Sequence, residues 1–227
     1  MKKFIALLLA LCCMFCCFTA CGSKPADPAE TPDTTPETTP DAAETAIAPL
    51  PITLDLEQLE DCTLAISLNE GDAYVDDSGA MQMKVTVYTY DLYDMVDIAG
   101  LEVGDSIIIR EEVVVIAELE RNDSGNIIIN GGLDNGGYEL RTDESGVFFE
   151  TGYSDLKSYV AVGEAIIPVS TEFTYTDSSN LDQDPVVYMP GDFLVEGTGI
   201  DYHFVPDNTS IVIEGGKIIS MTRIYTP

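Results

Sequence analysis

From about residue 62 onward, clusters of Gly, Asp, Asn, Ser and Pro interrupt the sequence roughly every 8–12 residues, and short runs rich in Val, Ile, Thr, Tyr and Phe fill the gaps. Runs that short cannot carry the apolar face of a long amphipathic helix, but they suit half-buried strands. The strand candidates are CTLAISL (62–68), AMQMKVTVYTYDLY (80–93), SIIIR (106–110), EVVVIAELE (112–120), NIIIN (126–130), YELR (138–141) and VFFE (147–150). VAVGEAIIPVS, EFTYT, PVVYM and DFLVE follow, and TSIVIEGGKIISMTRIY closes the chain as a hairpin around Gly215-Gly216. One turn or two at 154–159 is the helix candidate. The expected fold is therefore all-β over residues 51–227, a barrel or sandwich of about ten to twelve antiparallel strands with one short helix at most. A subdivision into two small β units near residues 150–165 is the alternative.

Alternation along the 80–93 run assigns its faces. Met81, Met83, Val85 and Val87 share one side and point to a core, while Lys84, Thr86, Tyr88 and Tyr90 share the other. Tyr88 and Tyr90 are thus candidate ligand contacts, an aromatic strip on a polar face. Three connections look alike: Asp76-Asp77-Ser78-Gly79, Asn122-Asp123-Ser124-Gly125 and Asp143-Glu144-Ser145-Gly146. Their order suits a turn capped by its own Asx side chain and closed by a left-handed glycine, rather than the alternating oxygen ligands of a calcium loop. The loop DSSNLDQDP (177–185) is a better cation candidate, with Asp177, Asp182 and Asp184 as its ligands. Ca2+ is the ion it would take, and no other cofactor is expected.

The N-terminal end is different chemistry. Lys2 and Lys3 precede an unbroken apolar run over residues 4–18, which is the form of a secretory signal segment and short for a membrane-spanning helix. It closes on Phe18-Thr19-Ala20-Cys21-Gly22, which resembles the lipobox of bacterial lipoproteins with Phe in place of the usual leucine. The resemblance implies removal of residues 1–20 and lipidation of Cys21, hence an extracytoplasmic protein attached to the membrane. Cys12, Cys13, Cys16 and Cys17 are then apolar residues of a discarded segment, and Cys62 is left without an internal disulfide partner. Residues 21–50 carry a Thr-Pro-acid repeat (TPDT-TPET-TPDA) that has little to bury and reads as a disordered tether. The whole chain is similar in style to acidic lipoproteins of gut Firmicutes, and this likeness implies no particular activity.

With 10 basic and 40 acidic residues the net charge is −30. Such a field disfavours nucleic acid and adsorption to an anionic bilayer, so membrane attachment would come through the lipid. Neutral glycans, basic peptides or a protein partner stay open. The absence of Trp lowers a carbohydrate reading, although tyrosines can substitute. His203 is the only histidine, which removes histidine triads and multi-His metal sites by counting. Gly104-Asp105-Ser106-Ile107 resembles the nucleophile block of the GDSL hydrolases, and that resemblance implies Ser106 as nucleophile. Here Ser106 runs into a β pattern, and Asp201-Tyr202-His203 is one residue short of the family's D-x-x-H. The function expected is a non-catalytic ligand-binding or interaction module on a lipid anchor. The alternative is an exported hydrolase using paired carboxylates or Ser106.

Overall fold

A computed structural model of the chain describes residues 46–52, 54–142 and 145–227. Cys21, the signal segment and most of the tether lie outside the described residues, as do Asp143 and Glu144 of the third turn. In chain order the elements are β1 (Cys62–Ser67), β2 (Ala73–Val75), β3 (Met81–Thr89), β4 (Leu92–Tyr93), α1 (Met95–Ala99), β5 (Ser106–Ile109), β6 (Glu112–Val115) and β7 (Leu119–Arg121). β8 (Ile127–Ile129), β9 (Tyr138–Thr142), β10 (Phe148–Thr151), β11 (Val160–Ser178), β12 (Val186–Tyr188), β13 (Thr209–Glu214) and β14 (Lys217–Ile224) follow. The fold is all-β, as expected.

Five strands close a ring. β1 pairs with β3, β3 with β11, β11 with β14, β14 with β13, and β13 with β1. β11 makes closure possible because it is 19 residues long. Its first half runs antiparallel to β3, from Val160 opposite Thr89 to Pro168 opposite Gln82. From Val169 the strand passes to β14, in the one parallel pairing among the described strands, with a register shift between Val169 and Thr174. The order β13-β1-β3-β11 is a Greek key, and the ring has the form of a small five-stranded OB-type barrel. Inward positions fill it: Leu64, Ile66, Met83, Val85, Val87, Ile167, Phe173, Tyr175, Ile211 and Ile213 are all buried in one cluster. β2 and β12 extend the sheet at β3 and β11.

Between β3 and β11 the chain leaves the barrel and builds a second core. A sheet β4-β10-β9-β8-β7 and the hairpin β5–β6 enclose Tyr93, Ile98, Ile107, Ile109, Ile129 and Leu140. Two cores thus exist, but they are nested rather than consecutive, with the chain crossing near residue 90 and again near 160. The described residues belong to one compact unit. Its first described residues already take part: Ile47 forms a bridge with Ile107, and the Leu50 N–H donates to the Leu92 carbonyl (2.6 Å).

The local differences from expectation have simple causes. Fourteen strands occur among the described residues: the 80–93 and 112–120 runs are each cut where the chain changes sheet, and β2 forms on a three-residue stretch that lies outside the strand candidates. The two runs after residue 160 fuse into β11, and DFLVE is mostly a 3₁₀ turn at Pro190–Leu194 that places Phe193 in the barrel core. The α-helix is at Met95–Ala99 rather than 154–159; the Asp94 carboxylate accepts from the Val96 N–H (2.7 Å) and caps it. The 154–159 segment instead opens as a 3₁₀ turn with Ser154 and Asp155 in the left-handed region. Among the described residues, no helix is long and apolar enough to cross a membrane.

Candidate functional site

Strand alternation places Met83, Val85 and Val87 of β3 inside the barrel and turns Tyr88 outward. Tyr90 follows just past the end of the strand, where the chain departs into the inserted unit. Both rings are half-buried rather than a bare strip. The Tyr88 hydroxyl shares a hydrogen bond with Ser67 Oγ (3.2 Å). Tyr90 meets Phe149 and Tyr159 edge to face, at centroid separations of 6.0 and 5.4 Å. Lys157 Nζ donates to the Tyr90 hydroxyl (2.6 Å) and lies 5.3 Å from the Phe149 centroid.

Tyr88, Tyr90, Lys157 and Tyr159 line a cavity of about 510 Å³ where the barrel meets the inserted unit. Ile52 and Leu54 edge it from the entering chain, Thr63 and Ser210 from the outward positions of β1 and β13. Asp207 completes it from the loop ahead of β13. Asn208 shapes that loop, accepting from the Val205 N–H (3.1 Å) and donating to the His203 carbonyl (3.1 Å). Asp207 Oδ1 is buried with no hydrogen-bond partner, and burial raises its carboxyl above the ordinary range. Burial, with smaller contributions from Tyr90 and Asp207, pushes the Tyr159 hydroxyl up to about 12. The cavity therefore offers aromatic faces, an ammonium and a carboxyl.

A second cavity of about 360 Å³ shares Ile52, Leu54 and Thr89 with the first. The tip of the β5–β6 hairpin enters it with Arg110 and Glu111, both left-handed (φ 49° and 66°) where a two-residue turn favours Asn-Gly. Such a conformation costs about 1–2 kcal/mol per non-glycine residue, and here polar contacts hold it. Asp91 Oδ2 accepts the Arg110 N–H (2.7 Å), Arg110 Nη2 meets Glu150 Oε1 (2.9 Å), and the guanidinium lies 5.6 Å from the Tyr138 centroid. Tyr93, fully buried, donates its hydroxyl to the Ile108 carbonyl (2.8 Å). Burial raises the Glu150 carboxyl; Arg110 opposes that rise, and the nearby Ser158 hydroxyl also favours the charged form without a hydrogen bond of normal geometry to Oε2. Asp91 and Glu111 are the carboxylates in this cavity's wall, and Asp91 together with Glu150 fastens the hairpin. Glu150 is only 2 % exposed.

The other candidates fall as follows. Asp177 does not meet Asp182 and Asp184 in a cation site: Arg223 grips it through Nε (3.1 Å) and Nη2 (2.9 Å). Burial works against the Asp177 charge, but hydrogen bonds from Ser179 and Arg223 outweigh it and lower the pKa. Asp182 and Asp184 are exposed, and no group of three His, Cys, Asp or Glu able to hold a metal occurs among the described residues. Asp76 Oδ1 accepts from the Ser78 and Ala80 N–H groups (2.9 and 3.0 Å), and Asn122 Oδ1 from Ser124 and Asn126 (3.0 Å each). Both are self-capped turns. Ser106 opens β5 and is buried in the inserted unit, whereas His203 is exposed on the barrel side near Arg223. Cys62 packs at the edge of the barrel core, and burial followed by Asp61 raises its thiol.

Sequence alternation points to Tyr88 and Tyr90; it passes over Lys157, Tyr159 and Asp207, which arrive on loops. No family model, curated protein or solved structure matches the chain.

Proposed function

We propose that this protein is a lipid-anchored, extracytoplasmic binding module, non-catalytic, whose ligand site is the cavity between barrel and inserted unit. The observation that carries the reading is the convergence of Tyr88, Tyr90 and Tyr159 with Lys157 and Asp207 around about 510 Å³ of space. That volume lies within the roughly 300–1,000 Å³ of small-ligand sites, and a mostly apolar wall with a few polar groups is their usual chemistry. Small Greek-key barrels also serve as scaffolds for oligonucleotide and oligosaccharide ligands, an analogy of scaffold and not of site. A net charge of −30 disfavours the nucleic acid. The lipobox-like residues around Cys21 and the acidic Thr-Pro tether support display outside the membrane.

A thermal-shift screen of the full chain against neutral oligosaccharides, short peptides, basic peptides and calcium tests the binding reading. The expected result is a rise in melting temperature with a small organic ligand, weakened about tenfold by Tyr90→Ala. Undiminished binding in Tyr88→Ala and Tyr90→Ala would place the ligand elsewhere. For the anchor, intact mass of native material should begin at an acylated Cys21; retention of residues 12–17 would remove it.

A further inference from the structure

Seven of the ten basic residues lie among the described residues. Lys84 pairs with Glu164, Arg110 with Glu150, Arg141 with Glu139 and Asp155, and Arg223 with Asp177 and Asp201. Arg121 donates to the carbonyls of Ile98, Ala99 and Leu101 at the end of α1, and Lys217 is exposed at a hairpin tip. Lys157 is the exception. It is half-buried in the seam cavity, makes no ion pair with a described residue, and rests on a tyrosine hydroxyl in a chain with 40 acids. An ammonium has three donors, and the Tyr90 hydroxyl takes one.

Asp207 mirrors it. Asp207 lines the same cavity and its Oδ1 is buried without a partner, yet the two groups do not pair with each other. A buried polar atom left without a partner is costly, and a ligand that supplies one recovers that cost on binding. One cavity thus brings together a cation with spare donors, a carboxyl group with an oxygen lacking a donor, and tyrosine faces near the cation.

Resting on the reading of the cavity as the ligand site, we propose that it takes a small zwitterion, a free amino acid or short peptide with both termini unblocked. The carboxylate lies against Lys157 and the ammonium against Asp207, while the tyrosine faces take an apolar or aromatic side chain. The acidic surface draws in the ammonium end, and Lys157 supplies the local attraction that the field denies to a carboxylate. A neutral sugar satisfies Asp207 through a hydroxyl but leaves Lys157 without its counter-charge.

The test is calorimetric titration of the full chain with glycyl-tyrosine, its N-acetyl and C-terminal amide derivatives, a hexuronic acid and a neutral disaccharide. The free dipeptide is expected to bind, and blocking either terminus to weaken it about tenfold or more. Lys157→Gln should abolish the difference between acid and amide while keeping that between free and acetylated amine; Asp207→Asn should do the reverse, and Lys157→Arg should behave as the parent chain. Circular dichroism melting verifies that each variant folds. Equal binding of blocked and free dipeptides, or no binding of the free one, overturns the zwitterion. Binding of either sugar alone, lost in Tyr90→Ala, also overturns it but leaves the seam as the ligand site.

Discussion

The barrel and the unit inserted into it solve the same problem by different means. In the barrel, hydrogen bonding closes on itself through the partner switch of β11, and the interior is filled by alternate residues of five strands. Closure pairs every ring strand on both sides, and a buried Arg223 on Asp177 and Asp201 ties β14 to β11 and to the loop at Asp201. The inserted sheet is open, its core leans on isoleucines, and polar clasps finish the job: Arg110–Glu150, Asp91 on the hairpin tip, and Arg121 on the carbonyls ending α1. The ring is specified chiefly by continuous strand pairing around its core, while the open sheet leans on several clasps at its margins. The cavity forms where the two meet, with residues drawn from both.

If that contrast is right, apolar truncation in the barrel should have the largest effect. Phe173→Ala, at a fully buried ring packed against Phe193, should cost about 3–5 kcal/mol in urea denaturation. A loss near 1 kcal/mol would mean that the ring core is not the main source of stability. In the inserted unit the clasp should matter nearly as much. Arg110→Met strands Glu150 in the interior and should cost about 3 kcal/mol, most of it regained when Glu150→Met is added. No recovery in the double variant would show that Arg110 acts by packing alone. Glu111→Gly should go the other way and stabilise by up to about 1 kcal/mol, because glycine meets the left-handed turn without strain.

The smallest effects separate the two regions by pH. Hydrogen bonds from Ser78, Gln82 and Ala80 lower the Asp76 carboxyl, in the β2–β3 turn, from 3.8 to about 2. Its stabilisation is therefore present above the ordinary carboxylate value and lost as pH falls toward 2, and Asp76→Asn should flatten that acid limb. Glu150 has the opposite sign. Burial raises its folded pKa above 4.5, so its contribution is present below that value and declines as pH rises through the folded one; Glu150→Gln should remove this slope. Melting temperature against pH for the two variants tests both signs, and matching profiles would erase the distinction.

Much of the fold could be read from the amino acids, and the reasons are local. Alternation in 80–93 identifies Met83, Val85 and Val87 as core, and the Asx residues at 76 and 122 announce their turns. Ring closure could not be read, because it rests on which strand each half of β11 meets, a matter of tertiary register. The five-residue helix is too short to show a period, although Asp94 and Gly100 are its cap signals. The site divides in the same way. Tyr88 and Tyr90 stand out by strand parity, whereas Lys157, Tyr159 and Asp207 reach the cavity along loop paths that only the assembled fold defines. Asp177 shows the converse: the polar stretch 177–185 reads as a cation loop, while the fold puts Asp177 at the end of β11 beside Arg223, a partner 46 residues away that the local sequence does not announce.

The most direct test of the account is the NMR response of tyrosine rings in the full chain, selectively 13C-labelled, during titration with the free dipeptide and the oligosaccharide panel. A seam site requires that Tyr88, Tyr90 and Tyr159 shift together with a common saturation while buried Tyr93 and Tyr175 stay still. Shifts confined to other tyrosines, or rings at the seam that ignore every ligand in the panel, would contradict it.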